Sequence, residues 1–347
     1  MASISIREWG SIGTEQVMRI DLSQPNGMSV SCINYGARLI RLLVPDREGQ
    51  SENVVLGLAD AEAYGNDQAS FGATVGPVAG RIAEGKWGAV QLEQNNSAHH
   101  IHGGSRGWGQ QFWGFTTEET AEAVSVTFSL ESTPETVGYP GRLQAKVGYS
   151  LDAEGGLTIT MEGISRGTEE TLFNPTSHIY FNLSGEAKRP ITEHTLQLAC
   201  EEVLELDADK LPTGTKQTVA GTAFDFREAT ALGAAIRKRP EGFDDVFLMK
   251  PDRQPQLILS DEESGRQMTL SSNRSSIVLF STTDMNEPYL VNGRPMRSQL
   301  GLAIEAQEVP DAIHQPGWDN IVLAPNTLAA RVQNYTFNIF PKKVSRF

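Results

Sequence analysis

Cysteine is almost absent from this 347-residue chain: only Cys32 and Cys200 occur, both inside alternating, strand-like runs. Two isolated thiols give no disulfide framework and no Cys-based metal spacing, and they read as buried thiols of a protein kept in a reducing, cytoplasmic setting. Long apolar runs are also missing, and no stretch approaches the ~20 consecutive apolar residues that a membrane span needs. Met1 to Gly13 carries the charges of Arg7 and Glu8 and no apolar segment, so a secretory signal is not expected. Basic excess is lacking as well. The net charge is -14, and the 29 Lys and Arg residues are scattered, a distribution that repels a phosphate backbone or an anionic bilayer and argues against nucleic-acid and membrane partners.

Helical periodicity is nearly as scarce. Arg227 to Arg239, rich in Ala with Leu232, Ala235 and Ile236 on one face, is the one segment that predicts a short helix. Strict alternation dominates instead. Val124, Val126, Phe128 and Leu130 alternate with Ser125, Thr127 and Ser129, as a strand with one buried face requires. Leu143, Ala145, Val147, Tyr149 and Leu151 repeat the pattern. After a turn cluster at Asp152 to Gly156, Leu157, Ile159 and Met161 repeat it again, which predicts a three-stranded meander. Similar runs fall at Val30–Val44, Thr195–Cys200, Leu257–Leu259, Met268–Leu270, Ile277–Phe280 and Tyr335–Phe340. Without βαβ alternation a dinucleotide-binding sheet is not expected, and the pattern predicts an all-β sandwich or barrel. The length alone suggests about two domains, but large β-sandwiches routinely exceed that guide. No linker or fixed-period repeat divides the chain, so residues 1–347 read as one domain. At this size roughly three quarters of the unfolded surface can be buried without help from metal or disulfide.

Few residues are suited to chemistry. The sequence has six histidines, three of them crowded as His99, His100 and His102 before Gly103 and Gly104. On a strand, His100 and His102 would share a face, as a metal pair requires. A cupin-like site would also need a Glu a few residues later, where Arg106 stands, and ligand count and spacing rather than histidine density define a site. One of these histidines could equally cap a turn. Gly103, Gly104, Gly107 and Gly109 form neither a dinucleotide fingerprint nor a phosphate-cradling loop, so no nucleotide or metal cofactor is expected. With 43 acidic residues, a glycosidase-like pair of carboxylates can always be imagined and carries no information.

A set of short motifs runs in order along nearly the whole chain. They begin with Asn34-Tyr-Gly-Ala-Arg38, Val44-Pro-Asp-Arg47 and Val54-Val-Leu-Gly57, followed by Phe71-Gly-Ala-Thr-Val-Gly76 with Gly80-Arg-Ile82. Asn95-Asn96 then leads into His100-Ile-His-Gly-Gly104, and the centre carries Thr176-Ser-His-Ile-Tyr-Phe-Asn-Leu-Ser-Gly185. Leu211-Pro-Thr-Gly214, Gly221-Thr222, Phe224-Asp-Phe-Arg227, Gly242-Phe-Asp244, Gly301-Leu-Ala-Ile-Glu-Ala-Gln307 and Pro310-Asp-Ala312 complete the series. In these motifs the chain resembles the aldose 1-epimerases, or galactose mutarotases. The resemblance implies a galactose mutarotase-like supersandwich, a large antiparallel β-sandwich with few short helices and a sugar cleft across a concave sheet face. It implies a cofactor-free isomerase acting on a monosaccharide, as a monomer or homodimer.

By the same resemblance, His178 is the general acid and Glu305 the general base, His102 binds the ring region of the sugar, and Arg81 and Asp244 hold its hydroxyls. A lone histidine before an aromatic strand, or a lone glutamate, would otherwise read as structural, and Arg81 and Asp244 as partners in salt bridges. Trp108 and Trp113 lie near the histidine cluster and are candidates for a sugar platform, with core packing as the competing reading. The chain departs from the family pattern at four places. Gly80 stands where an Asn usually precedes the Arg, Pro77 replaces a usual Arg, Asp245 replaces a usual His, and Val278 and Leu279 occupy the place of a usual Gln.

Exchanging anomers requires opening the hemiacetal, turning the aldehyde about its bond to C2, and closing on the other face. One group takes the proton of the C1 hydroxyl, another protonates the ring oxygen, and on closure they exchange roles. Reference values of about 4.3 for Glu and about 6.5 for His predict one ionised and one partly protonated group near neutrality, with burial raising the Glu value. A non-catalytic sugar-binding sandwich, a hexose-6-phosphate epimerase and a lyase-related enzyme are the alternatives. The first would have no use for an acid and base pair, and the second should bring extra Arg or Lys to the cleft.

Overall fold

The structure, a computed structural model, describes residues 1–250 and 252–340. The expected all-β character holds. Antiparallel sheets dominate, and the helices are short: Ala61–Gly65, Pro134–Val137 and Leu232–Lys238, with a few single 3₁₀ turns. The sequence-predicted meander forms as Ala123–Ser132, Arg142–Asp152 and Leu157–Arg166, paired in continuous antiparallel register from Val124↔Leu151 and Leu151↔Leu157 outward. In the middle strand Leu143, Ala145, Val147, Tyr149 and Leu151 are all buried, as their spacing requires.

These strands belong to a nine-stranded sheet. Its order runs Gly114–Glu119, Ala123–Ser132, Arg142–Asp152, Leu157–Arg166, Leu328–Ile339, Arg266–Ser272, Leu257–Asp261, His194–Leu198 and Thr230–Ala231. A six-stranded sheet runs Tyr180–Phe181, Leu302–Gln307, Ser276–Ser281, Asp244–Met249, Cys200–Leu206 and Pro212–Thr218. A five-stranded meander, Ser3–Ile12, Glu15–Ser23, Ser29–Ile33, Arg38–Pro45 and Ser51–Asn53, completes the principal layers. One continuous apolar cluster joins all three. It includes Leu22, Cys32 and Leu42 from the five-stranded sheet, Val126, Tyr149 and Met161 from the nine-stranded sheet, and Leu279, Ile304 and Ala306 from the six-stranded sheet. Cys32 and Cys200 both lie in this core as free thiols, as the sequence predicts, and burial pushes the Cys200 thiol up to about 12, which keeps it protonated and inert.

The two-residue period of the six-stranded sheet decides what lines the cleft. Along Leu302–Gln307, Leu302, Ile304 and Ala306 point into the shared core, so the intervening Glu305 and Gln307 fall on the other face, where they line a cavity. Ile277 and Leu279 likewise enter the core while Val278 and Phe280 line the cavity, and on the next strand Phe247 faces the core while Asp244 and Val246 line the cavity. Register sets these residues side by side: Val246 opposite Val278, and Val278 opposite Glu305.

Two local expectations are corrected. The helix begins at Leu232 rather than near Arg227, because Thr230–Ala231 pairs as an edge strand with Thr195 and Leu196. Its apolar face is the expected one, with Leu232, Ala235 and Ile236 buried. The run Val30–Val44 is two strands separated by a turn at Tyr35–Ala37. Since Leu279 sits between sheets with no exposure, Leu279→Ala should lower stability by about 2–5 kcal/mol. Urea titration followed by tryptophan fluorescence measures this, and an unshifted midpoint would contradict the sandwich interior.

Candidate active site

The histidine cluster does not work as a unit. The strand there is only His100–Ile101, and His102 adopts a left-handed backbone with φ 54°, so His100 and His102 do not share a face. His100 turns inward, its Nδ1–H donating to the Glu93 carbonyl at 2.7 Å and its Nε2 accepting from the Tyr139 hydroxyl at 2.7 Å. His99 Nδ1 accepts the Glu84 N–H at 3.1 Å, the turn-capping role left open by the sequence. Only His102 lines the cleft. Three histidines with three separate partners do not form a metal pair, and among the described residues no group of three His, Cys, Asp or Glu is placed to hold a metal ion.

The remaining sequence-predicted residues converge on one cavity of about 850 Å³, lined by His102, His178, Arg81, Asp244 and Glu305. His178 Nε2 lies 3.4 Å from Glu305 Oε1. Both side chains are nearly inaccessible, at 7% and 4% exposure, which removes most of the water that would stabilise their charged forms. Burial pushes Glu305 up to about 8. The Asp244 carboxylate adds to that rise, and the Arg81 guanidinium opposes it. Burial pulls His178 down to about 4 against the attraction of the Asp67 carboxylate. The expectation of a partly protonated imidazole near neutrality is therefore corrected by desolvation, whereas the expected rise of the glutamate is found.

Each group is held by its own segment. The His178 N–H donates to the Ala73 carbonyl at 2.9 Å, and the Gly72 N–H returns a bond to the His178 carbonyl at 3.0 Å. Gly72 has φ +63°, and a Cβ there would lie 1.9 Å from the Leu39 carbonyl oxygen, so this close backbone approach requires glycine. The His178 ring packs on Tyr180 with centroids 4.9 Å apart and meets the His102 ring edge-on at 5.6 Å. His102 Nδ1 accepts the Gly80 N–H at 3.2 Å, so the neutral ring carries its proton on Nε2; burial holds its pKa well below the ordinary histidine value.

Arg81 and Asp244 do not pair with each other. Arg81 Nε donates to Asn96 Oδ1 at 3.1 Å, and Asp244 Oδ2 faces Lys210 Nζ at 3.9 Å. Asp245 lies on the opposite face of its strand. There it is paired with Arg239 at 3.1 Å and accepts the Asp244 N–H at 2.9 Å, so it orients Asp244 from behind instead of facing the cavity. Trp108 and Trp113 are core residues, 0% and 2% exposed and stacked edge-on in the main cluster, so the platform reading is overturned. The cavity's aromatic lining comes from Tyr35, Tyr180 and Phe280.

Sequence reasoning missed Asp67, Lys210 and Gln307 as lining residues. Gln307 was legible, since it shares the parity of Glu305. Asp67 was not: it is fixed by bonds from Arg38, from the Ala69 N–H at 2.8 Å and from the Phe71 N–H at 2.8 Å, none of which leaves a spacing signal.

The sequence pattern of the family described as Aldose 1-epimerase matches residues 18–336. A protein named Aldose 1-epimerase from Streptococcus thermophilus is 33% identical over 331 residues, covering 92% of this chain and 94% of its own length. This chain belongs to the aldose 1-epimerase family. Another relative of similar extent, a maltose epimerase from Levilactobacillus brevis, is 29% identical over 94% of this chain and 97% of its own. Among solved structures, a galactose 1-epimerase from Lactobacillus acidophilus superposes with a TM-score of 0.87 at 29% identity, covering 98% of this chain and 99% of the other. The fold is that of the family, and the chain is an enzyme of the aldose epimerase kind.

The depressed basicity of His178 can be read directly. Because burial disfavours the imidazolium, the ring should stay neutral through pH 6 and take its proton only as pH falls through about 4. An NMR titration of the His178 ring nitrogens checks this; a midpoint near the ordinary value of about 6.5 would contradict the burial.

Proposed function

We propose that this enzyme interconverts the α and β anomers of a free aldose of the galactose and glucose class, with Glu305 as general base and His178 as general acid. The observation that carries this reading is the pair itself, an imidazole and a carboxyl 3.4 Å apart in a cavity, both buried. A binding module gains nothing from desolvating two titratable groups against each other, because each costs stability unless it has chemistry to perform.

The shifted values define the chemistry. Between about 4 and about 8 the two groups together carry one proton. These values rest that proton on Glu305; the reactive form is the tautomer in which it has crossed to His178, leaving Glu305 as the carboxylate that takes the C1 hydroxyl proton while the imidazolium protonates the ring oxygen. The C1–O5 bond breaks and the open aldehyde forms. After rotation about C1–C2, the neutral imidazole removes the proton from the C5 hydroxyl as that oxygen attacks C1. Glu305 then returns its proton to the carbonyl oxygen, and the pair ends as it began. His102 Nε2–H, Arg81 and Asp244 are the groups that hold the ring and its hydroxyls. Lys210 adds the cation that a phosphorylated substrate would use, but Asp244 stands beside it at 3.9 Å. The two charges offset one another, which favours a neutral sugar. Maltose is the substrate named for one relative. A cavity of about 850 Å³ with an open mouth also leaves room for a second ring on a reducing sugar.

Glu305→Ala and His178→Ala should each lose roughly 10² to 10⁴ in kcat for the mutarotation of freshly dissolved α-galactose or α-glucose, followed by polarimetry; undiminished kcat in either variant defeats the assignment. In the native enzyme kcat/KM should fall below about 4, where both groups are protonated and no base remains, and above about 8, where both are bare and no acid remains. A profile that stays flat across either limb contradicts the one-proton pair. Initial rates on galactose, glucose, xylose, arabinose, maltose and a sugar 6-phosphate rank the substrates, and a preference for the phosphate would replace the neutral-sugar reading.

A further inference from the structure

The two segments that carry His178 and Glu305 are hydrogen-bonded to each other only in part. Tyr180–Phe181 pairs with Leu302–Ala303, and the ladder closes with the Ile304 N–H donating to the Ile179 carbonyl at 3.4 Å. One residue further, at the pair itself, the segments diverge: Thr176–Ser177 pairs with Thr74–Val75 in a separate two-stranded ladder. Between Thr176 and Ala306 the backbone ladder is replaced by side chains. The Ala306 carbonyl accepts from Thr176 Oγ1 at 2.9 Å and from Gln333 Nε2 at 3.2 Å.

Gln333 comes from the opposite sheet, on Leu328–Ile339, and is 1% exposed. Its amide is used at both ends. Nε2 donates to the Ala306 carbonyl and, at 3.5 Å, to Thr176 Oγ1, while Oε1 accepts from Ser177 Oγ at 2.9 Å and from the Tyr335 hydroxyl at 2.9 Å. Ser177 and Thr176 immediately precede His178, and Ala306 immediately follows Glu305. One amide therefore spans the gap between the acid-bearing and base-bearing segments. An apolar side chain of similar volume would fill the same space without the desolvation cost of a primary amide. What the amide adds is direction, since its fixed donors and acceptors admit one placement of the two segments.

We propose that Gln333 is a positioning residue that sets the separation of His178 and Glu305. The proposal rests on the acid and base reading given above. Among the described residues its side chain bonds to Thr176, Ser177, Ala306 and Tyr335, none of them a group proposed to hold the sugar, so its expected effect is on the chemical step and not on substrate affinity.

The test compares the full chain with Gln333→Leu, Gln333→Glu and Tyr335→Phe, each checked for its melting temperature and assayed by polarimetry across pH. Misplacing a catalytic group by about 1 Å costs on the order of 10²-fold. Gln333→Leu should therefore lose about 10- to 100-fold in kcat, with KM for galactose or glucose changed by no more than about twofold. Its upper pH limb should move, because a displaced Glu305 carboxyl changes its burial and its distances from Asp244 and Arg81, the groups that set its value. Gln333→Glu keeps both acceptor contacts but lacks the donation to Ala306 and should show the same fall. Tyr335→Phe keeps the donations to Ala306 and Thr176 and should stay within about twofold of the native kcat. A lowered melting temperature with native kcat and pH profile in Gln333→Leu shows a merely structural residue and overturns the proposal. Should Gln333→Leu fail to fold, equal kcat in Gln333→Glu and Tyr335→Phe overturns it as well. A dead Glu305→Ala beside a fully active Gln333→Leu defeats the positioning role alone, whereas a fully active Glu305→Ala defeats the acid and base reading with it.

Discussion

A carboxyl and an imidazole held 3.4 Å apart and stripped of water form the constraint around which the cleft is organised. In water the two would sit as carboxylate and partly protonated imidazole. In this cleft burial disfavours both charges, raising one group and lowering the other until a single proton belongs to the pair over most of the accessible pH range. The neighbours temper that effect without cancelling it. Arg81 opposes the rise of Glu305, Asp67 opposes the fall of His178, and Asp244 drives Glu305 further up. An arrangement that resists both charges yet keeps both groups within proton-transfer range suits a reaction in which acid and base must exchange roles within one turnover.

The sheet geometry makes this placement possible. A strand with strict two-residue alternation can put Ile304 and Ala306 into the main core and Glu305 and Gln307 into a cavity, so the packing that stabilises the sandwich also fixes where the carboxyl points. The row formed by register sets Val278 directly beside Glu305 and Val246 one strand further on, and both valines line the cavity with it. The same parity explains why Asp245 and Leu279, two of the departures from the family pattern, face away from the cavity. Their differences do not act on the substrate directly. Val278 does line the cavity, and there a methyl surface stands where the family pattern has an amide.

Much of the fold was legible because alternation is a strong signal when one face is buried. The meander from Val124 to Met161 follows directly from it, and Leu130, only partly buried near the strand end, marks where the signal weakens. The helix boundary was not legible, since Thr230 and Ala231 carry no feature that separates an edge strand from the first turn of a helix. The site residues came from ordered motifs more than from physics: nothing in the spacing of His178 and Glu305, 127 positions apart, says that they meet. Long-range contacts of that kind are set by topology. The same limit hid Asp67, whose ion-pair partner Arg38 lies on a distant strand, and Gln333, whose partners Thr176, Ser177 and Ala306 are more than twenty positions away, and it made Trp108 and Trp113 look like cleft residues when chain proximity to His102 was the only guide.

Membership in the aldose 1-epimerase family and the superposition on a galactose 1-epimerase over 98% of this chain establish the fold that carries this cleft. The most direct test of proton exchange between His178 and Glu305 is a crystal structure of the Glu305→Gln protein with galactose or glucose bound. Proton transfer across the sugar predicts that the side chain at position 305 and His178 Nε2 lie within about 2.6–3.2 Å of the anomeric hydroxyl and the ring oxygen, one group to each. A sugar bound outside this cavity, or touching only one of the two side chains, would contradict it.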